Sequence, residues 1–218
     1  MTKKILRVLG VATLVFAFSA VAHGDGLTLQ NPGNDVMGGV YVGPYNFTGT
    51  INGQSGSFQL VCDDFADEVY TGESWSVTES TFPNLSNVQF SGSTQYDEAA
   101  LLGQALFQNL GNSQTVGDIQ WAIWDIFDPG VSSNDPYGTL SATDQQNVAN
   151  WLNWAESQSG NGNYSNVTFY TPVVGTQPSG DGRPQEYIGL TPAPEPGAIV
   201  LVGLGLPLAL IFGRRLAL

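Results

Sequence analysis

Lysine, histidine and cysteine are almost missing from the middle of this 218-residue chain. The chain has only 6 basic residues, and Arg183 is the single one between the two ends. The others are Lys3, Lys4, Arg7, Arg214 and Arg215. All 19 acidic residues fall between Asp25 and Glu195. A nucleic-acid-binding protein needs basic groups that displace counterions, so nucleic acid is excluded as a partner.

The only histidine, His23, lies at the edge of the N-terminal apolar segment. Its isolation excludes a Ser-His-Asp triad, a histidine-ligated metal and a histidine general base. We therefore expect a protein that is not an enzyme, has no catalytic residues and holds no metal cofactor. The length suits one domain with a substantial core.

Residues 1–22 have the pattern of a secretory signal peptide. A positive segment with Lys3, Lys4 and Arg7 precedes a short apolar run, and Ala20-Val21-Ala22 fits the small-x-small cleavage pattern. Cleavage after Ala22 makes His23 the first mature residue, and cleavage after Gly24 is the alternative. An uncleaved anchor helix is the other interpretation, which the shortness of the apolar run disfavours.

A second apolar segment, 197–213, ends at Arg214-Arg215 and is preceded by Pro194-Glu195-Pro196. Its length is near the lower limit for a bilayer span, and the arginines would stay cytoplasmic. The tripeptide, the span and the terminal basic pair together resemble the PEP-CTERM sorting signal of Gram-negative bacteria. That resemblance implies removal of the tail by an exosortase and transfer to the cell surface; an ordinary tail anchor is the alternative.

The domain between these ends, 23–190, alternates between two hydrophobic periods. Period-two runs predict strands at both ends of the domain, and helical spacing predicts three helices in its middle. The predicted strands are Gly39–Val42, Tyr45–Ile51, Ser57–Cys62, Ser74–Val77, Asn166–Tyr170 and Glu186–Leu190. The predicted helices are Tyr96–Asn109, Val116–Phe127 and Asp144–Ser157, the last with a capping box of Ser141 and Asp144. The fold class is α+β, an antiparallel β-sandwich or barrel with a helical insertion, followed by a Pro-rich tether in 191–218.

Cys62 and Gln120 are the two residues of this domain whose chemistry needs an explanation. Cys62 is the only cysteine and so has no disulfide partner within the chain. It is either a small buried hydrophobe, a site of intermolecular disulfide formation, or a reactive group. Gln120 shares a helix face with Ile123, Trp124 and Phe127, so it should point inward, as a hydrogen-bonded core glutamine or as a reactive amide.

The motif around these residues resembles the thioester domains of bacterial surface adhesins. There, a cysteine ending an apolar strand precedes a helix that reads Gln-x-Ala-Ile-Trp, which matches Gln120, Ala122, Ile123 and Trp124. The resemblance implies an internal thioester between Cys62 and Gln120, formed with loss of ammonia, which then acylates an amine on a target. The pattern departs from the family at Ile119, where threonine is usual, and at Asp63, where an aromatic residue is usual.

Two compositional features bear on this chemistry. A domain that carries an acyl donor is safer without lysines of its own, although the chain also avoids bases in general. Acidic residues form two loose groups that admit a calcium site or, alternatively, solvated loops that keep the protein soluble. These are Asp63, Asp64, Asp67, Glu68 and Glu73 in the first group and Asp125, Asp128 and Asp135 in the second.

We therefore expect an exported cell-surface binding module with a thioester that acylates target amines. Its partners would be signal peptidase, exosortase, an amine-bearing surface or matrix target and, transiently, the membrane. A non-reactive structural protein of the extracellular matrix, with the same sorting signal, is the alternative.

Overall fold

A computed structural model describes residues 24–129, 131, 135–176 and 183–191. The described strands are β1 (Gly26–Asn31), β2 (Val36–Met37), β3 (Val40–Tyr41), β4 (Tyr45–Ile51), β5 (Gln54–Cys62), β6 (Ser74–Thr81), β7 (Val167–Pro172) and β8 (Tyr187–Leu190). The described helices are α1 (Ser93–Gln108), α2 (Ser113–Phe127), α3 (Asp135–Gly138) and α4 (Ala142–Gln158). The predicted signal peptide at 1–22 and the sorting segment beyond Thr191 lie outside the described residues.

Six strands close into a barrel in the order β1-β4-β5-β8-β7-β6. All the described barrel pairings are antiparallel, and β2 and β3 form a separate two-stranded hairpin. Of the two predicted architectures, the barrel is therefore the one observed. The four helices occupy the stretch between β6 and β7, which confirms the predicted helical insertion.

The barrel strands follow from side-chain alternation and one tight turn. Leu27 and Leu29 of β1 and Tyr45 and Phe47 of β4 are buried, while the residues between them are more exposed. Between β4 and β5 the pair Ile51 and Gln54 encloses Asn52-Gly53, whose φ angles are 52° and 73°. Both angles lie in the left-handed region that a two-residue hairpin turn requires, and Asn-Gly is the preferred sequence for it.

The helices pack on one side of the barrel. Helix α2 contacts both α1 and α4 and reaches β5, while α1 lies on β8. Gly103 permits that approach, because a Cβ at this position would be 3.1 Å from Cγ2 of Ile188. The predicted capping box is confirmed at the start of α4: Ser141 Oγ accepts from Asp144 N, and Asp144 Oδ2 accepts from Ser141 N.

The structure departs from the predicted elements at β3 and at three elements that were not predicted, β1, β2 and α3. The predicted strand Gly39–Val42 is only the short β3, and β1 was not predicted at all. Strand β1 contributes only two inward apolar residues, and it is stabilised by pairing with β4 on one side and β6 on the other. None of the helices within the described ranges has the length and hydropathy of a bilayer span. The span predicted at 197–213 lies outside those ranges.

Candidate functional site

Cys62 is the last residue of β5, at the point where the strand leaves the barrel. Its neighbour across the ladder is Tyr187 of β8, and its side chain is 0% exposed. The Cys62 Sγ–H donates to the carbonyl oxygen of Asp64 at 3.0 Å. The chain therefore turns back over the sulfur immediately after the strand ends.

Gln120 lies directly against this strand end. Its position on α2 turns the side chain toward β5, and it is 0% exposed, as its helix face predicts. Gln120 Nε2 donates to the main-chain oxygen of Cys62 at 2.6 Å, while Gln120 Oε1 is buried without a hydrogen-bond partner. The structure thus brings the two predicted site residues together in one buried region.

The surroundings of Cys62 strongly favour the neutral thiol over the thiolate. Burial is the largest cause and raises the pKa of the Cys62 thiol well above its usual value; the charges of Asp64 and Asp63 raise it further. The Trp124 indole N–H lowers the pKa by a smaller amount. It lies beside the sulfur without forming a well-directed hydrogen bond. A free thiolate is therefore costly at this position.

Aromatic rings cover the site on the helical side. The ring of Phe65, three residues after Cys62, lies 5.5 Å from that of Trp121 and 5.0 Å from that of Trp124. Trp121 and Trp124 meet edge to face at 5.2 Å, and Tyr137 packs on Trp121. Phe65, Trp121 and Trp124 therefore form one aromatic cluster beside the Cys62–Gln120 contact.

The structure also shows where two further motif residues, Ala122 and Ile123, and the barrel residue Trp75 lie. Ala122 and Ile123 of α2 are both fully buried in the core. Ala122 is two residues from Gln120 and so faces a different side of the helix, whereas Ile123 shares the Gln120 face. The ring of Trp75 stacks on that of Tyr187 inside the barrel, with the centroids 6.3 Å apart. Tyr187 is the residue paired with Cys62, so Trp75 packs on the neighbour of Cys62.

Asp63 and Asp64 are not in a solvated loop, which corrects one expectation from the sequence. Their exposures are 0% and 1%, and the segment after β5 is held by two hydrogen bonds to the residues before β8: Asp63 N donates to Glu186 O at 3.3 Å and Gln185 Nε2 donates to Asp64 O at 2.8 Å. Asp64 Oδ1 accepts from the backbone N–H groups of Ala66 at 3.0 Å and Asp67 at 3.2 Å. Its Oδ2 accepts from the amide of Gln89. Burial, and then the Asp67 charge, raise the pKa of Asp64 to about 6.

Asp63 forms a buried carboxyl pair with Glu186, a residue that no feature of the sequence marked as functional. Burial is the largest cause of a raised pKa in both carboxyls, and the Glu186 charge raises the pKa of Asp63 further. Glu186 accepts from Tyr96 Oη at 2.6 Å, from Gln89 N at 2.8 Å and from Thr171 Oγ1. Asp63 has no other side-chain partner, so Asp63 is the member that keeps the proton.

No group of three or more His, Cys, Asp or Glu side chains suited to a metal ion occurs within the described ranges. In the first predicted acidic group, Glu68 is exposed and Asp67 and Glu73 are half-buried. The sorting residues Pro194, Glu195, Pro196, Arg214 and Arg215 lie outside the described residues.

Comparison with known proteins gave one structural likeness. No family model matches the chain, and no curated protein matches its sequence. Among solved structures, the chain is similar to the N-terminal thioester domain of a surface protein from Clostridium perfringens, with a TM-score of 0.46 and 11% sequence identity. The likeness covers 78% of this chain and 99% of that domain.

Proposed function

We propose that this protein is an exported surface-binding module that carries an internal thioester between Cys62 and Gln120. The observation that carries the proposal is the 2.6 Å hydrogen bond from Gln120 Nε2 to the Cys62 carbonyl, between two fully buried residues. It places the amide of one side chain at the residue that bears the only thiol of the chain. The bond would be used once, in attachment to a target, without turnover.

The chemistry requires only these two side chains. The Cys62 sulfur attacks the Gln120 amide carbon, the S–C bond forms, and the bond from that carbon to Nε2 breaks. The thiol proton passes to the departing nitrogen, which leaves as ammonia. In the second step a target amine attacks the same carbon, an amide forms, and the Cys62 thiol is released with the proton from the amine.

The surroundings suit a stored acyl group. Burial and the neighbouring carboxylates disfavour the Cys62 thiolate. A free cysteine reacts with electrophiles as its thiolate, whereas a thioester is neutral and places no charge in this buried position. The aromatic cluster of Phe65, Trp121 and Trp124 keeps out the water that would hydrolyse the bond.

The ends of the chain would deliver this module to its place of action. The signal peptide at 1–22 directs export, and Pro194-Glu195-Pro196, the span 197–213 and Arg214-Arg215 direct exosortase processing. The mature domain would then lie on the surface, or in the extracellular matrix, of a Gram-negative bacterium.

The test is intact mass spectrometry of the purified mature protein. A formed thioester makes the protein lighter than its sequence mass by one ammonia. Methylamine should add its full mass to the thioester form, which leaves the protein heavier than its sequence mass by one CH2 group. The product carries an N-methyl amide at Gln120 and a free thiol at Cys62. Before treatment, Cys62 should resist alkylation even in denaturant.

A full sequence mass together with complete alkylation of the unfolded, untreated protein would overturn the thioester. The protein would then be the non-reactive matrix component that the sequence also admits. A buried free cysteine and a thioester give opposite results in both measurements, so the two functions are separated without knowledge of the target.

A further inference from the structure

A cleft of about 610 Å³ opens at the end of the barrel beside Cys62. Its walls come from the β2–β3 hairpin region, from β1 and β4, and from the loop 65–71. Its volume is in the range of pockets that hold a small ligand or several side chains. Six of its lining residues carry the argument: Tyr41, Tyr70, Phe65, Trp124, Asp67 and Glu68.

The inner wall of the cleft is formed by residues that border Cys62, while Cys62 and Gln120 themselves lie behind this wall. Trp124 lines the cleft, and its indole lies beside the Cys62 sulfur. Tyr45 also lines the cleft and lies close enough to Cys62 for the two to interact electrostatically. A group that enters the cleft therefore meets the residues that border the sulfur.

The outer part of the cleft combines exposed aromatic rings with carboxylates. Tyr41 is 50% exposed and Tyr70 54% exposed, among the most exposed large apolar side chains of the described residues. Glu68 is exposed and Asp67 is half-buried, so both carboxylates are open to solvent. Aromatic faces and carboxylates together attract cations.

No basic residue in the described part of the chain neutralises the carboxylates of this cleft. Arg183 is the only lysine or arginine there, and it does not line the cleft. Asp67 accepts a 3.4 Å hydrogen bond from Gln89, and Glu68 accepts one of 2.8 Å from Tyr70. Neither of these donors is charged, so both carboxylates keep their attraction for an external cation.

We propose that this cleft selects the amine that the thioester acylates: a lysine side chain within a basic segment of a partner protein. The inference rests on the proposed thioester and adds its specificity. Asp67 and Glu68 hold the positive charges that flank the lysine, the tyrosine faces contact its alkyl chain and neighbouring cations, and the lysine nitrogen approaches the carbon of Gln120 past Trp124. A neutral segment would lack the contacts of its flanking residues with Asp67 and Glu68, and an acidic segment would be repelled by these two carboxylates.

The experiment uses three acetylated peptides, each with one central lysine, flanked by arginines, serines or glutamates. The rate of adduct formation on the mature protein is followed by intact mass at low ionic strength. We expect the arginine-flanked peptide to react roughly tenfold faster than the glutamate-flanked peptide, with serine between them. The preference should shrink in high salt, as the Debye length falls from about 30 Å at 0.01 M to about 3 Å at 1 M.

The variant Asp67→Asn/Glu68→Gln should reduce the preference between the arginine and glutamate peptides several-fold. The matched control is Glu98→Gln/Glu156→Gln, which removes two carboxylates from α1 and α4 and changes the net charge equally. It should keep the wild-type preference, because neither residue lines the cleft. The mass deficit that marks a formed thioester is measured first for each protein. If the cleft variant has no deficit, the proposal is tested by the rates of the three peptides on the wild type at low and high salt.

Each outcome has a distinct meaning. A wild type without the mass deficit overturns the proposed function and this inference with it. A wild type with the deficit that acylates all three peptides at equal rates overturns the inference alone. An equal loss of preference in the control variant also overturns it, since the effect would then belong to net charge rather than to the cleft.

Discussion

The Gln120 side-chain amide donates a 2.6 Å hydrogen bond to the Cys62 carbonyl while its own oxygen has no partner in the described structure. A core glutamine normally has both ends of its amide satisfied, because a buried polar atom without a partner costs about 1–3 kcal/mol. Conversion to a thioester removes the nitrogen and its two donors from the core. The oxygen that lacks a partner is retained as the carbonyl of the thioester.

The first prediction is that Cys62→Ala and Gln120→Ala each cost stability through the same lost cross-link. A covalent link between these positions stabilises by about 4 kcal/mol in the chain-entropy relation, and truncation adds a cavity cost. The double variant should lose that cross-link contribution only once, so the two effects should be strongly non-additive. Chemical denaturation of the four proteins measures this coupling.

The matched control for that cycle is Gln104→Ala. Gln104 is a half-buried glutamine of α1 that donates to Asn163 O at 2.8 Å and to Asn166 Oδ1 at 2.7 Å. This variant should keep the mass deficit, the methylamine adduct and the resistance of Cys62 to alkylation. Additive effects of the Cys62 and Gln120 substitutions would contradict the cross-link.

The second prediction concerns the shelter of the acyl group. Trp124→Phe removes the indole N–H beside the sulfur and part of the ring that covers it. We expect the thioester to hydrolyse several-fold faster in amine-free buffer, because water gains access to the carbonyl carbon. Recovery of sequence mass with time measures hydrolysis.

Trp121→Phe is the control for that substitution. Trp121 is also buried with an indole N–H that lacks a partner, but its ring packs on Phe65, Trp124 and Tyr137. Its removal should change the hydrolysis rate less. Equal rates for the two variants would show that the shelter is a general property of the cluster rather than of Trp124.

The third prediction concerns export. The surface form should begin at His23 and lack the segment 197–213 together with Arg214 and Arg215. Replacement of both arginines by glutamate should impair orientation and processing, because it removes the positive-inside signal. N-terminal sequencing and mass measurement of surface protein test this. Recovery of the full-length chain from the cell surface would count against the sorting signal.

The end of β5 and the inward face of α2 could be predicted because their determinants are local, whereas the contact between them was implied only by the resemblance to thioester domains. The apolar run before Cys62 marks a strand end, and the 3.6-residue period around Gln120 marks the inward face of a helix. Both features are visible within about ten residues of each site residue. The turn at Asn52-Gly53 and the capping box at Ser141 have the same local origin.

The buried carboxyl pair could not be predicted, because its stabilising contacts are distant in sequence. Asp63 follows a strand in an acidic, glycine-poor loop, which is typical of exposed residues. Its burial depends on Glu186 from the segment before β8 and on Tyr96 from α1. The pairing of β8 with β5 also joins strands that are far apart in sequence. This pairing brings Tyr187 opposite Cys62.

The last prediction is that the free energy of unfolding falls as pH rises from about 4 into the neutral range. Burial raises the pKa of Asp63 well above its usual value, raises that of Glu186, and brings that of Asp64 to about 6. A carboxyl with a raised pKa binds a proton in the folded state that the unfolded state has released. Its stabilising contribution is complete below the unfolded pKa, near 4, and is lost as pH rises through the folded pKa. The slope for each such proton is about 1.4 kcal/mol per pH unit.

Two substitutions should move this profile in opposite directions. Asp63→Asn supplies a permanently neutral donor to Glu186, so the fall in stability between pH 4 and neutral pH should become shallower. Thr171→Val removes a hydrogen bond that lowers the pKa of Glu186, so the fall should extend to higher pH. Denaturant unfolding at several pH values measures both profiles. A wild type more stable at pH 8 than at pH 5, or an Asp63→Asn profile as steep as that of the wild type, would show that the pair does not hold a proton in the folded protein.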